Sequence, residues 1–133
     1  MVNVNLWSVI VAAVVAFVLG GLWYSPLLFG KKWMKLSKMS EKDMKGTNAH
    51  LSYLGTLIIS LVTAYILAVF VGYAGAMTFS SGMLAGFWVW LGFVATKSFG
   101  GVLWEKKPFA LWVLNSGYDL LSLLLMAGII AVW

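Results

Sequence analysis

Four long runs of apolar side chains dominate this sequence, and each has the length a helix needs to cross the hydrocarbon core of a bilayer, about 20 residues. They cover 6–25, 51–73, 79–103 and 109–133. Of the 133 residues, 62% are hydrophobic and 10% charged, against about 25% charged in an ordinary soluble domain. The surplus apolar surface therefore has to face lipid. Backbone N–H and C=O groups in lipid must be satisfied within the segment, so the expected fold is all-α. It is an integral membrane four-helix bundle, a single transmembrane domain over 1–133. The first run is expected to stay in the mature protein, because uncharged MVNVN precedes it and bulky LWYSP ends it, unlike a cleaved signal peptide.

Residue types narrow the chemistry. The absence of Cys removes disulfides and thiolate sites, and a single His, His50, makes an imidazole metal cage within one chain an unpromising idea. No cofactor or metal is expected. All nine cationic residues are lysines, so the bidentate guanidinium clamp for phosphate and carboxylate is missing. The methionines are scattered along the chain instead of clustered as copper ligands would be. His50 and Asp119 belong at different depths, so no Ser–His–Asp triad is credible and an enzyme is the least supported class.

Charge also sets the expected topology. Six of the nine lysines lie between Lys31 and Lys45, in the loop 27–50, and the turn WEKKP before the fourth run carries Lys106 and Lys107. The positive-inside rule puts both loops on the cytoplasmic side of a prokaryotic cell membrane and both termini outside. Trp7, Tyr73 and Trp133 are expected to form the outer aromatic belt, and Trp23, Tyr24, Tyr53, Trp104 and Trp112 the inner one. Within the loop, Leu28, Trp33, Met34 and Leu36 alternate with Lys31, Lys32, Lys35 and Lys38, which suits a short amphipathic segment lying on anionic lipid headgroups. This basic cluster marks a membrane face; no nucleic-acid partner is expected. Ser40 and Asp43 in SEKD read as a capping box. Gly20-Gly21-Leu22-Trp23 before Pro26 echoes Gly100-Gly101-Val102-Leu103-Trp104 before Pro108, which leaves a duplicated hairpin or chance similarity as explanations.

Helices in lipid associate by close backbone approach and interhelical hydrogen bonds, so small and polar residues mark the contacts. Ala12, Ala16 and Gly20 recur every four residues, and Gly82 and Gly86 form a GxxxG; either stripe fits packing within the chain or between chains. The polar residues inside the spans are more informative. Asn115 and Asp119 share a face of the fourth span with Trp112 and Ser122, and Tyr118 lies on its flank. Asp119 sits about 15 Å from the start of that helix, close to the bilayer midplane. A carboxylate there costs roughly 2.5 to 3.5 kcal/mol to insert and must be neutral, paired or wetted. Lys97 on the third span is the candidate partner, either reaching Asp119 or snorkelling to the headgroups. The plainer role for such a pair is to lock two helices in register; the functional one is an ionisable site on a proton or solute path.

The segments GGLWYSPLLFGKKWMKL, MSEKDMK and FALWVLNSGYDLLSLLLMAGIIAVW resemble a bacterial family of small four-span membrane proteins, the domain of unknown function family seventeen sixty-one. The resemblance spans nearly the whole chain. Trp23-Tyr24-Ser25-Pro26 and Asn115-Ser116-Gly117-Tyr118 are its most specific motifs. It implies the four-span architecture but brings no activity, substrate or cofactor. It also implies that the position of Asp119 accepts several residue types and that Lys97 is not fixed. That moves weight to Tyr24, Ser25, Pro26, Asn115 and Tyr118, with Asn115 and Tyr118 expected to hydrogen-bond near the break at Pro26.

The leading expectation is a non-enzymatic membrane protein, a homo-oligomer, in which Lys97, Asn115, Tyr118 and Asp119 stabilise assembly or line a path for a small solute or proton. The alternative is an accessory or scaffolding subunit of a larger membrane complex, with another membrane protein as partner.

Overall fold

A computed structural model of the chain describes residues 2–40, 42–43, 46 and 48–133. Glu41 and Lys45, both part of the basic-loop expectation, lie outside the described residues. The described residues form five helices: α1 (Leu6–Trp23), α2 (Gly30–Ser37), α3 (Ala49–Ala74), α4 (Phe79–Trp104) and α5 (Phe109–Val132). All but α2 are long and apolar enough to cross a membrane, and no strand occurs among the described residues. This is the all-α, four-span bundle that the apolar runs predict.

Local chemistry sets where each helix begins. The Asn5 side chain accepts hydrogen bonds from the Trp7 and Ser8 backbone N–H groups at the start of α1 (2.9 and 3.4 Å). Asn48 accepts from Leu51 N–H at 3.2 Å, so α3 starts two residues before the apolar run that marks it. Thr78 and Ser81 form a reciprocal capping box at the head of α4. Ends are as specific. Gly75 takes the left-handed conformation (φ 67°) that closes α3. The α1 helix stops at Trp23 because Pro26 lacks an N–H, and the chain then doubles back, with Phe29 N–H on Trp23 C=O (3.0 Å) and Gly30 N–H on Ser25 C=O (2.9 Å). A Cβ at Gly30 would strike the Tyr24 and Ser25 carbonyls, so this turn requires glycine.

The shared core is built from small residues. Val9, Ala12, Ala13 and Ala16 of α1 meet Ala64, Leu67, Ala68 and Val71 of α3 and Leu123, Met126 and Ala127 of α5. Between α4 and α5 the approach is closer still. A Cβ on Gly82 would lie 2.5 Å from Ala127 O, and one on Gly86 would lie 2.7 Å from Leu123 O. The GxxxG motif and the Ala12/Ala16 stripe are thus both consumed inside the chain. That settles their role as intrachain packing, and the glycine faces are not free for contact between copies.

One feature has no signature in the hydropathy pattern. Within α4, residues Trp90–Ala95 form a π-helical turn, closed by Thr96 N–H on Leu91 C=O. The Thr96 hydroxyl donates to the Gly92 carbonyl at 3.0 Å. Such a turn adds one residue to the helix and rotates everything after it relative to what precedes it. The echo between GGLW and GGVLW does not extend to structure: the Trp23 indole N–H reaches Leu114 C=O at 3.1 Å, while Trp104 is 87% exposed.

Candidate functional site

The last helix is the hub of the polar contacts. Among the described residues, every side-chain hydrogen bond that joins one of the four long helices, or the turn directly after α1, to another has one end on α5. From the end of α1, the Trp23 indole donates to Leu114 C=O (3.1 Å) and the Tyr24 hydroxyl to Asn115 Oδ1 (2.8 Å). From α4, the Trp90 indole donates to Ser116 C=O (2.9 Å), and Ser98 Oγ lies 3.4 Å from Ser116 Oγ. In the other direction, the Tyr118 hydroxyl donates to Ala16 C=O (2.8 Å), and the Trp112 indole to Ala95 C=O and Ser98 Oγ (3.2 and 3.0 Å). Helix carbonyls have a second lone pair, so they accept these bonds without giving up their own ladder.

Two sequence motifs therefore meet in space. Trp23-Tyr24-Ser25-Pro26 ends α1, and Asn115-Ser116-Gly117-Tyr118 lies about two turns into α5. Tyr24 and Tyr118 pack edge to face with ring centroids 5.5 Å apart, and Trp23 leans on Gly117, where a Cβ would lie 3.4 Å from its ring. Tyr118 crosses over Gly20, whose missing Cβ leaves room for the phenol oxygen. The Ser25 hydroxyl caps its own helix through Leu22 C=O (2.7 Å). Asn115 does bond at the break before Pro26. Tyr118 bonds two turns further along α1, at Ala16. Trp23, Tyr24 and Trp112, expected in an aromatic belt, are instead turned into the bundle as donors, whereas Tyr53 and Trp104 are exposed.

Asp119 follows this motif and accepts no hydrogen bond from the protein among the described residues. It is half-buried and forms a wall of two cavities. One, of about 130 Å³, runs along Leu111, Asn115 and Asp119 of α5 to Lys107 in the turn before it, and is closed by Ser98, Val102, Trp112 and Ser116. The other, of about 200 Å³, lies on the far side between α1, α3, α4 and α5, where Ser60, Thr63, Tyr118 and Ser122 supply its polar atoms. Asp119 is the residue common to both.

Lys97 does not pair with Asp119. It is exposed, on the outer surface of α4 beyond the π turn, and the ion pair recorded among the described residues is Lys107 with Glu105 (3.0 Å). Lys107 is the cation that shares a cavity with Asp119, a role the sequence reading missed. The sequence places Lys107 in the turn WEKKP, two residues before α5 begins at Phe109, where helical spacing does not register it with Asp119. His50 is exposed, as are Lys31, Lys32, Lys35 and Lys38 on and after α2. In the loop beyond, Ser40 and Asp43 cap one another: the Ser40 backbone N–H and hydroxyl donate to Asp43 Oδ2 (2.9 and 3.0 Å), and Asp43 N–H donates to Ser40 Oγ (3.2 Å). Those bonds, the backbone one first, hold the Asp43 carboxyl below its ordinary range.

No curated protein and no solved structure shows significant similarity to the chain. Residues 7–131, nearly the whole of the bundle including both meeting motifs, match the family described as Protein of unknown function (DUF1761), and the chain belongs to that family.

Proposed function

We propose that this multi-pass membrane protein is not an enzyme and carries a proton or a small solute along a polar route in which Asp119 is the exchange point. The observation that carries this reading is the shared position of Asp119 between two cavities, one opening toward Lys107 and the other lined by Ser60, Thr63 and Ser122. A carboxylate inside an apolar helix with no protein hydrogen-bond partner is free to change its protonation state or its ligand, whereas one committed to a salt bridge is not. Asn115 and Tyr118 fix its position through their bonds to α1.

The same reading places the protein in the cell membrane of a prokaryote, with the lysine-rich loops inside and both termini outside. A homo-oligomer suits so small a chain, which encloses little space by itself. With Gly82 and Gly86 occupied, one surface open to such contact is the face of α4 carrying Gly92, Thr96 and Gly100, where added Cβ atoms at both glycines meet nothing within 4 Å.

Reconstitution into liposomes tests the route. Asp119→Asn preserves the shape and removes the charge, so pH-gradient-driven proton or solute flux should fall to the level of empty liposomes while the circular dichroism spectrum is kept. Flux equal to that of the parent protein would overturn it. Isolation of the chain in a fixed ratio with a different polypeptide, and no flux from the pure protein, would favour the accessory-subunit alternative.

A further inference from the structure

Beside the break at Pro26 the structure holds a cavity of about 550 Å³, larger than either space at Asp119, lined by Tyr24, Pro26, Gly30, Trp33 and Met34. That is within the size range of sites for drug-sized ligands, roughly 300 to 1,000 Å³. Its walls are apolar, and its one hydroxyl, on Tyr24, is already committed to Asn115 at 2.8 Å. Walls of this kind suit a hydrocarbon occupant better than a polar solute. The rim is different. On α2, Gly30, Trp33 and Met34 share the face toward the cavity, and Lys31 and Lys35 follow on the Met34 side, about 60° and 100° further round the helix. Both lysines are exposed, and Lys38 ends the helix on the same side in a left-handed conformation (φ 59°).

We infer that this cavity is a binding site for one acyl chain of an anionic phospholipid, whose headgroup phosphate is held by Lys31 and Lys35 at its mouth. The occupant has to be apolar within the cavity and negative at its edge, and an anionic lipid in the membrane around the bundle meets both demands. Lysines suit a diester phosphate here, since they act as point charges and need no bidentate geometry. Unlike a loose headgroup contact, the site has a shape: α2 forms its roof, and the Gly30 turn, which tolerates no Cβ, fixes how far α2 stands from Pro26. The inference is independent of the route through Asp119.

Native mass spectrometry of the protein from mixed micelles of phosphatidylglycerol and phosphatidylcholine with identical acyl chains reads the site directly. The parent chain should retain one phosphatidylglycerol in at least fivefold preference. Lys31→Gln with Lys35→Gln, both surface changes that leave the fold alone, should bring the ratio near unity, and Met34→Trp, which fills the cavity, should reduce retention of both lipids. Lipids brominated along the acyl chain should quench the fluorescence lost in Trp33→Phe. Equal retention of the two lipids by the parent chain, a preference unchanged by the lysine substitutions, or retention unchanged by Met34→Trp would each overturn the assignment.

Discussion

Tyr24 and Asn115 stand 91 positions apart and are joined by a 2.8 Å hydrogen bond, so at the scale of single residues most of the polar design consists of long-range pairs. A double-mutant cycle of Tyr24→Phe and Asn115→Ala, read by thermal unfolding in detergent, should give a coupling of about 0.6 kcal/mol, the average for interhelical hydrogen bonds in a membrane, and no more than about 1.7 kcal/mol. Asp119 behaves differently because it has no partner among the described residues. Asp119→Leu should leave stability unchanged or raise it, since no cation is stranded; a loss above about 1 kcal/mol would reveal a partner. Gly82→Ala forces a methyl group onto Ala127 O and should cost about 1 to 3 kcal/mol. Gly55→Ala, with open space around it, should cost nothing. The polar residue types at Asn115, Tyr118 and Asp119 were legible in the sequence. Their partners were not, because a hydrogen bond to a backbone carbonyl such as Leu114 or Ala16 leaves no trace in side-chain identity.

At the scale of elements, the hydropathy pattern located all four long helices to within two residues at every end, and the two-residue differences trace to local chemistry at the ends. Asn48 starts α3 ahead of its apolar run, and Pro26, which has no N–H to continue the ladder, ends α1 two residues short of its run. The π turn at Trp90–Ala95 was invisible, since it changes the phase of a helix that is apolar on most sides and so has little phase to read. That shift is why Lys97 faces outward while Ser98 meets Trp112 and Ser116. Deleting Gly92 removes the extra residue, so it should restore a regular helix with the later residues in their present phase and both Trp112 hydrogen bonds kept. The expected readout is tryptophan emission at the parent wavelength, whereas a red shift would show that the register had moved. The Ser40–Asp43 cap has its own pH signature. The Asp43 carboxyl is held below its ordinary value, so the stabilisation it brings is complete above the ordinary carboxylate range, near pH 4, and is lost as pH falls through the lowered value. The Ser40 amide shift in NMR should follow that titration, and Asp43→Asn should abolish it.

For the whole molecule, charge asymmetry is the strongest global signal, with lysines gathered in two of the connecting segments. Because the chain has no Cys, single cysteines at Lys42 and Lys106 should react with a membrane-impermeant maleimide from one side of oriented vesicles, and cysteines at Asn3 and Ala76 from the other. The core itself is spread over three elements, yet its polar ties converge on α5. That convergence has a consequence for how the protein is made. The ribosome releases α1, α3 and α4 before α5 exists, so the indole N–H groups of Trp23 and Trp90 and the hydroxyl of Tyr24 enter the bilayer with their acceptors still untranslated. Until the final fifth of the chain arrives, the earlier helices lack these latches, and a chain truncated before Phe109 leaves Trp23, Tyr24 and Trp90 without their acceptors.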